Sequence, residues 1–227
     1  GYPQGTPAFV DIDRDGDVDL CLATREGALL FYLNTSGNSE LRWAVSPESA
    51  NFLQGVDVGN NAAASFVDID NDGDKDAFIG NERGFVSYFE NTTTGAGVTF
   101  ASRVGSSNPL NGIDVGTNAT PTFVDIDDDG DMDAFIGNDN GDVRFFENAG
   151  TTQVPQFRSE ESPIDSALSG ATLSLVFADI DGDSDSDAIL GNAEGKLLLF
   201  KNVGSPRHAT FISGAAIADP FSAWTFS

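Results

Sequence analysis

The chain has 227 residues, 40% hydrophobic and 10% aromatic, which is long enough to bury a core and too apolar for a disordered tail. Eleven Lys and Arg against 36 Asp and Glu leave a formal net charge of -25, which repels a phosphate backbone and excludes nucleic acid as a partner. The longest wholly apolar stretch, residues 28–33, is far short of the roughly 18 needed to cross a bilayer, so no membrane span is expected.

Read from the N-terminus, PAFVDIDRDGDVDL, ASFVDIDNDGDKDAFIGN, PTFVDIDDDGDMDAFIGN and LVFADIDGDSDSDAILGN are copies of one unit. Their first aspartates are Asp11, Asp68, Asp125 and Asp179, at steps of 57, 57 and 54 residues. An Asn follows 23 residues later in every copy, at Asn34, Asn91, Asn148 and Asn202, and an aromatic nine residues beyond that, at Trp43, Phe100, Phe157 and Phe211. Constant internal spacing predicts one supersecondary unit repeated four times, with variation confined to the connectors.

Each unit reads as four short strands. In the third copy they are a β-branched and aromatic run over residues 122–126, the run Ala134-Phe135-Ile136 closing at Gly137-Asn138, residues 142–147, and Gln156-Phe157-Arg158. The turn before the third strand carries Gly141, with Gly27, Gly84 and Gly195 as its equivalents. No stretch of ten or more residues shows an apolar stripe at helical period. The chain is therefore predicted to be all-β. Four strands per repeat at this period predict a β-propeller of four blades over residues 7–57, 63–114, 120–170 and 174–227, within a single domain covering 1–227. A solenoid is the rival, and its repeats are usually shorter. Apolar residues on both faces of strand three, Phe145 and Phe146, suit a blade held between two neighbours.

Between the first and second strands each copy carries D-x-D-x-D-G-D-x-D or a close variant. The acidic positions are Asp11, Asp13, Asp15, Asp17 and Asp19 in the first loop and Asp68, Asp70, Asp72, Asp74 and Asp76 in the second. The third has Asp125, Asp127, Asp129, Asp131 and Asp133, and the fourth Asp179, Asp181, Asp183, Asp185 and Asp187. Side-chain oxygens at positions 1, 3, 5 and 9, with a backbone carbonyl at position 7, match a hard cation that takes six to eight oxygens, and calcium fits best. The carboxylate at position 7 is expected to face solvent. Gly16, Gly73 and Gly130 at position 6 allow the sharp turn that brings the later ligands round.

An EF-hand would need a bidentate Glu at position 12 and flanking helices; Leu22, Ile79, Ile136 and Leu190 stand there, and the flanks read as strands. The four loops hold 21 of the 36 acids, and leaving out those 21 carboxylates alone brings the formal net charge to -4. Such crowding predicts that a bound cation stabilises the fold by mass action, about one calcium per blade. In the fourth loop Ser184 replaces the Gly, and weaker binding or an empty site is expected there.

At these residues the chain resembles the FG-GAP/VCBS repeat family and is similar to the calcium-binding blades of integrin α-subunit propellers. The likeness runs from Pro7 to about Phe211 and rests on F-V-D-I-D-x-D-G-D-x-D followed by F-I-G-N and F-F-E-N. It implies extracellular adhesion modules, some lectins and non-catalytic domains attached to enzymes. Family propellers usually have seven or eight blades, whereas four repeats account for essentially all of this chain. A four-bladed unit is favoured over half of an eight-bladed homodimer or part of a longer chain. The tail Ala218-Asp219-Pro220-Phe221 resembles the connector Ser107-Asn108-Pro109-Leu110.

Nothing in the sequence builds a catalytic constellation. His208, the only histidine, reads as an exposed residue near the start of the last strand. Cys21, the only cysteine, falls where the other copies have Phe78, Phe135 and Ile189; it reads as core filler, and neither a disulfide nor a zinc site is available. The paired aspartates repeat at ligand spacing, which argues against a glycosidase acid and base. Asn34, Asn91 and Asn118 begin glycosylation sequons, and for the first two a turn or strand-end role is the default.

Ligand binding is expected in connectors that differ between blades, residues 46–61, 105–118 and 162–170, or in the tail with Trp224, the best single candidate for a sugar platform. Packing to close the ring is the more ordinary role for that tryptophan. These readings converge on a secreted or surface, calcium-binding, non-catalytic recognition or adhesion module whose partner is a protein or glycan. A carbohydrate-binding lectin is the first alternative and a structural segment of a larger surface protein the second.

Overall fold

A computed structural model describes residues 5–36, 42–45, 52–53, 55–95, 97–164, 174–192, 197–205 and 207–213. Trp224, Gly195 and the tail around Pro220 lie outside the described residues. The chain divides into two compact units, Gly1–Asp114 and Val115–Ser227, and each contains two sheets.

Every sheet has four antiparallel strands paired in chain order. Blade 1 comprises β1 (Gly5–Val10), β2 (Asp19–Thr24), β3 (Leu29–Asn34) and β4 (Trp43–Val45). Blade 2 comprises β5 (Ala63–Val67), β6 (Asp76–Gly80), β7 (Val86–Asn91) and β8 (Phe100–Arg103). Blade 3 comprises β9 (Thr120–Val124), β10 (Asp133–Gly137), β11 (Val143–Asn148) and β12 (Phe157–Glu160). Blade 4 comprises β13 (Ser174–Ala178), β14 (Asp187–Gly191), β15 (Leu197–Asn202) and β16 (Phe211–Ser213). The fold is all-β, four four-stranded blades of a β-propeller.

The strands differ from the sequence reading at their ends. β9 stops at Val124, two residues before the predicted limit, because Asp125 already belongs to the loop. β10 starts one residue early, at Asp133, whose backbone pairs with Val124. His208 is exposed as expected, but it precedes the last strand in a tight turn, exchanging backbone hydrogen bonds with Ser205.

Second strands are the most enclosed. All five residues of β6 and of β10 are buried, so Ala77-Phe78-Ile79 and Ala134-Phe135-Ile136 present apolar groups to both faces of the sheet. Cys21 is likewise fully enclosed, opposite Phe31 in the ladder, and burial pushes its thiol up to about 12. In the first unit Phe66 of β5 meets Phe31 of blade 1 edge to face, with ring centroids 6.2 Å apart. In the second unit the repeat-equivalent Phe177 of β13 meets Phe135 of blade 3 at 4.8 Å. Each unit thus wedges a first-strand phenylalanine into the neighbouring blade. Truncating the buried partner ring, Phe31 or Phe135, costs about 3–5 kcal/mol.

Connectors are pinned as they enter the next blade. Asn61 and Ala62 donate their backbone N–H groups to Arg25 and Thr24 of blade 1. Gly27 sits under this connector at φ +86°, and a Cβ there would lie 2.5 Å from the Gly59 carbonyl oxygen. Only glycine satisfies both constraints.

Candidate functional site

The four aspartate loops are hairpin connections between the first and second strands, folded on a shared set of hydrogen bonds. The first aspartate accepts the backbone N–H of position 6: Asp11 from Gly16 at 3.1 Å, Asp68 from Gly73 at 3.1 Å, Asp125 from Gly130 at 3.0 Å and Asp179 from Ser184 at 3.1 Å. The fifth accepts the N–H of position 7: Asp15 from Asp17, Asp72 from Asp74, Asp129 from Asp131 and Asp183 from Asp185. Position 6 takes left-handed backbone in every loop, φ +92° at Gly16 and Gly73, +94° at Gly130 and +77° at Ser184.

Position 9 has a second duty that the spacing did not reveal. Asp19 accepts the Ile12 N–H at 3.1 Å on one oxygen and the Asn34 N–H at 2.7 Å on the other. Asp133 does the same for Ile126 and Asn148, and Asp187 for Ile180 and Asn202. Asp76 accepts from Asn91 at 2.7 Å. These carboxylates are buried and tie the start of the loop to the end of the third strand. Burial pushes Asp76 and Asp133 up to about 7 despite the donated N–H groups, and raises Asp19 in the same direction.

In the first three loops the oxygens of positions 1, 3 and 5 converge: Asp11, Asp13 and Asp15; Asp68, Asp70 and Asp72; Asp125, Asp127 and Asp129, each set within 4.8 Å. In the fourth loop the converging set is Asp179, Asp181 and Asp187, at positions 1, 3 and 9. One buried oxygen in each of the first three sets has no hydrogen-bond partner: Asp11 Oδ1, Asp70 Oδ1 and Asp127 Oδ1. Burial first, and then the neighbouring carboxylates, raises Asp13, Asp70 and Asp127 above the ordinary range. Partnerless oxygens on hard donors, crowded enough to favour protonation, are what a calcium-sized cation would satisfy, so these residues fit that ion.

Position 7 departs from expectation. Asp74 and Asp131 are buried, 3% and 8% exposed, and do not face solvent. Arg14 reaches from the first loop to pair with Asp74. Asp131 folds against Asp129, and burial together with that like charge pushes it up to about 6. Asp17 and Asp185 are half-buried.

A separate feature lies in the first unit. A cavity of about 570 Å³ is bounded by Asp57 and Val58 from the connector entering blade 2, Phe85 and Tyr88 at β7, Arg103 at β8, and Asn108, Leu110 and Asn111 from the connector leaving it. Phe85 is 40% exposed. Glu90 holds the Arg103 guanidinium by two hydrogen bonds of 2.7 and 2.8 Å. Asn108 is fixed by donating to the Val86 carbonyl at 3.0 Å and accepting from the Leu110 N–H at 2.9 Å.

The FG-GAP-like repeat pattern matches residues 11–79, 68–136 and 125–190, most of the chain, each match running from one aspartate loop into the next blade. The chain belongs to the FG-GAP-like repeat family. No curated protein sequence matches it significantly. Among solved structures it is similar to one described as the basis of specific recognition of non-reducing terminal N-acetylglucosamine by an Agrocybe aegerita lectin, with a TM-score of 0.52 and 18% identity. That likeness covers 92% of this chain and 52% of the other, so the chain spans about half the length of this structural neighbour.

The FG-GAP-like repeats share further features outside the acidic positions. Position 4 is left-handed in all four, at Arg14, Asn71, Asp128 and Gly182, and only the last is a glycine. The residue before the fixed asparagine is Leu33, Glu90, Glu147 and then Lys201, whose ammonium pairs with Asp181. The asparagines that open two of the sequons have structural duties: Asn91 is 3% exposed and donates through Nδ2 to the Lys75 carbonyl, and Asn34 donates likewise to Val18.

Proposed function

We propose that this FG-GAP-like chain is an extracellular, non-catalytic recognition module that binds a glycan in the blade 2 cavity and is stabilised by calcium in its aspartate loops. The observation that carries the reading is the make-up of that cavity. Its walls come from the connectors entering and leaving blade 2, which differ from blade to blade, whereas the loops repeat. A half-exposed aromatic ring beside a fixed guanidinium and amide side chains is the combination that receives a sugar, apolar face to ring and hydroxyls to polar groups. The Agrocybe aegerita lectin recognises N-acetylglucosamine, which supports a glycan over a protein partner for this chain.

Asp11, Asp13 and Asp15, with their counterparts in the second and third loops, would hold calcium, together with the carbonyl of position 7 and the carboxylate of position 9. The ion supplies positive charge to a crowded set of carboxylates. The chain's own residues do the rest: Asp19, Asp76 and Asp133 hold strand three against the loop, and Glu90 orients Arg103 at the cavity.

A glycan array run in calcium and again in chelator tests the reading. Saturable, sugar-competed binding that is lost in Phe85→Ala, with melting unchanged, is the expected result. Silence in both runs overturns the glycan assignment and leaves a protein-contacting or structural module.

A further inference from the structure

The first three loops and the fourth differ in how their negative charge is met. Lys201, on β15, donates to Asp181 and lies 3.7 Å from Asp183 Oδ2, so its ammonium serves loop positions 3 and 5 together. No other loop receives a cation at that strand position: the equivalents are Leu33, Glu90 and Glu147, and the two glutamates are themselves held by Arg103 and Arg158. Among the described residues, each of the first three loops keeps a buried carboxylate oxygen without a partner at position 1 or 3, whereas Asp179, Asp181 and Asp183 of the fourth are exposed. Asp183 has also left the converging set, its place taken by Asp187.

We propose that the fourth loop supplies its own cation: the Lys201 ammonium stands in for the divalent ion, and calcium binding in this chain stops at three loops. This rests on the calcium reading of the first three. A fixed ammonium on two of the ligand carboxylates both satisfies their lone pairs and repels an incoming dication. Ser184 bends the loop at positive φ, as glycine does elsewhere, so backbone shape is retained while the ligand set is not.

Equilibrium dialysis with calcium on the full chain, paired with thermal melting in chelator, tests this. Wild type should bind three ions, and Lys201→Glu, which restores the residue type of blades 2 and 3, should bind four and melt lower than wild type in chelator. Lys201→Met should share the lower melting in chelator. Glu147→Lys, should the Lys201 variants fail to fold, should reduce the count from three to two. Four ions on wild type overturn the proposal and leave the calcium reading standing. No ions on wild type overturn both. Three ions on wild type and on Lys201→Glu, with unchanged melting in chelator, remove Lys201 from the account.

Discussion

Tyr88 and Asp76 meet inside blade 2, the phenol donating to Asp76 Oδ2 at 3.4 Å while Oδ1 accepts the Asn91 N–H. Tyr88 also stacks on Phe78 at 4.5 Å and forms part of the cavity wall. One carboxylate therefore belongs to an aspartate loop and supports the surface proposed to take a ligand. Removing the hydroxyl in Tyr88→Phe costs about 1 kcal/mol and keeps the ring stack. The expected outcome is a normal fold in which the ratio of glycan affinities in calcium and in chelator moves toward one. A ratio equal to wild type separates the loop from the cavity.

The position 9 carboxylates are structural whether or not a cation is bound. Asp133→Ala strips acceptors from the Ile126 and Asn148 N–H groups in a buried setting. Each unsatisfied group costs about 1–3 kcal/mol, so a loss of roughly 2–4 kcal/mol is expected after removal of the buried charge is allowed for. Denaturant titration with an unchanged m-value would report it. A change under about 0.5 kcal/mol would falsify the buried double acceptor.

Acidity and calcium should pull in opposite directions. Burial pushes Asp76 and Asp133 up to about 7 from an ordinary 3.8, so the cation-free fold favours their protonated forms. Stability from this source is complete below the ordinary value and is lost as pH rises through about 7. Melting in chelator should therefore fall from about pH 4 to about pH 7 and level off above that. Bound calcium favours the carboxylate, so the stabilisation it gives should grow over the same range. A chelator profile that rises with pH contradicts the assignment.

Ser184 holds φ at +77°, where a Cβ is strained. Ser184→Gly relieves roughly 1–2 kcal/mol of strain and returns part of it through the freer unfolded chain. A net gain of about 1 kcal/mol is expected by chemical denaturation. The variant should still bind three calcium ions, because Lys201 remains in place.

Much of the architecture was written in the repeat. Steps of 57, 57 and 54 residues, a fixed asparagine and a late aromatic located four sheets, since each apolar run has room for one strand and each aspartate run for one hairpin. What escaped was side-chain reach. Arg14 is one charged residue in a loop, and nothing local shows that it extends to Asp74 in the next blade. Lys201 reads as a strand residue until its column is set beside Glu90 and Glu147. The cavity escaped because Asp57 and Asn108 lie far apart in the chain and are joined only when blade 2 folds between them. Trp224 lies outside the described residues, and Phe85 is the half-exposed ring at the cavity.

Cys21 gives the molecule a stopwatch. It is the chain's only sulfhydryl, wholly enclosed in β2 between β1 and β3. A disulfide reagent such as Ellman's compound reaches it only when the first blade comes apart, so the yellow product counts openings of that blade alone. At high reagent concentration its appearance reads the opening rate, and at low concentration the open fraction, with no label or substitution.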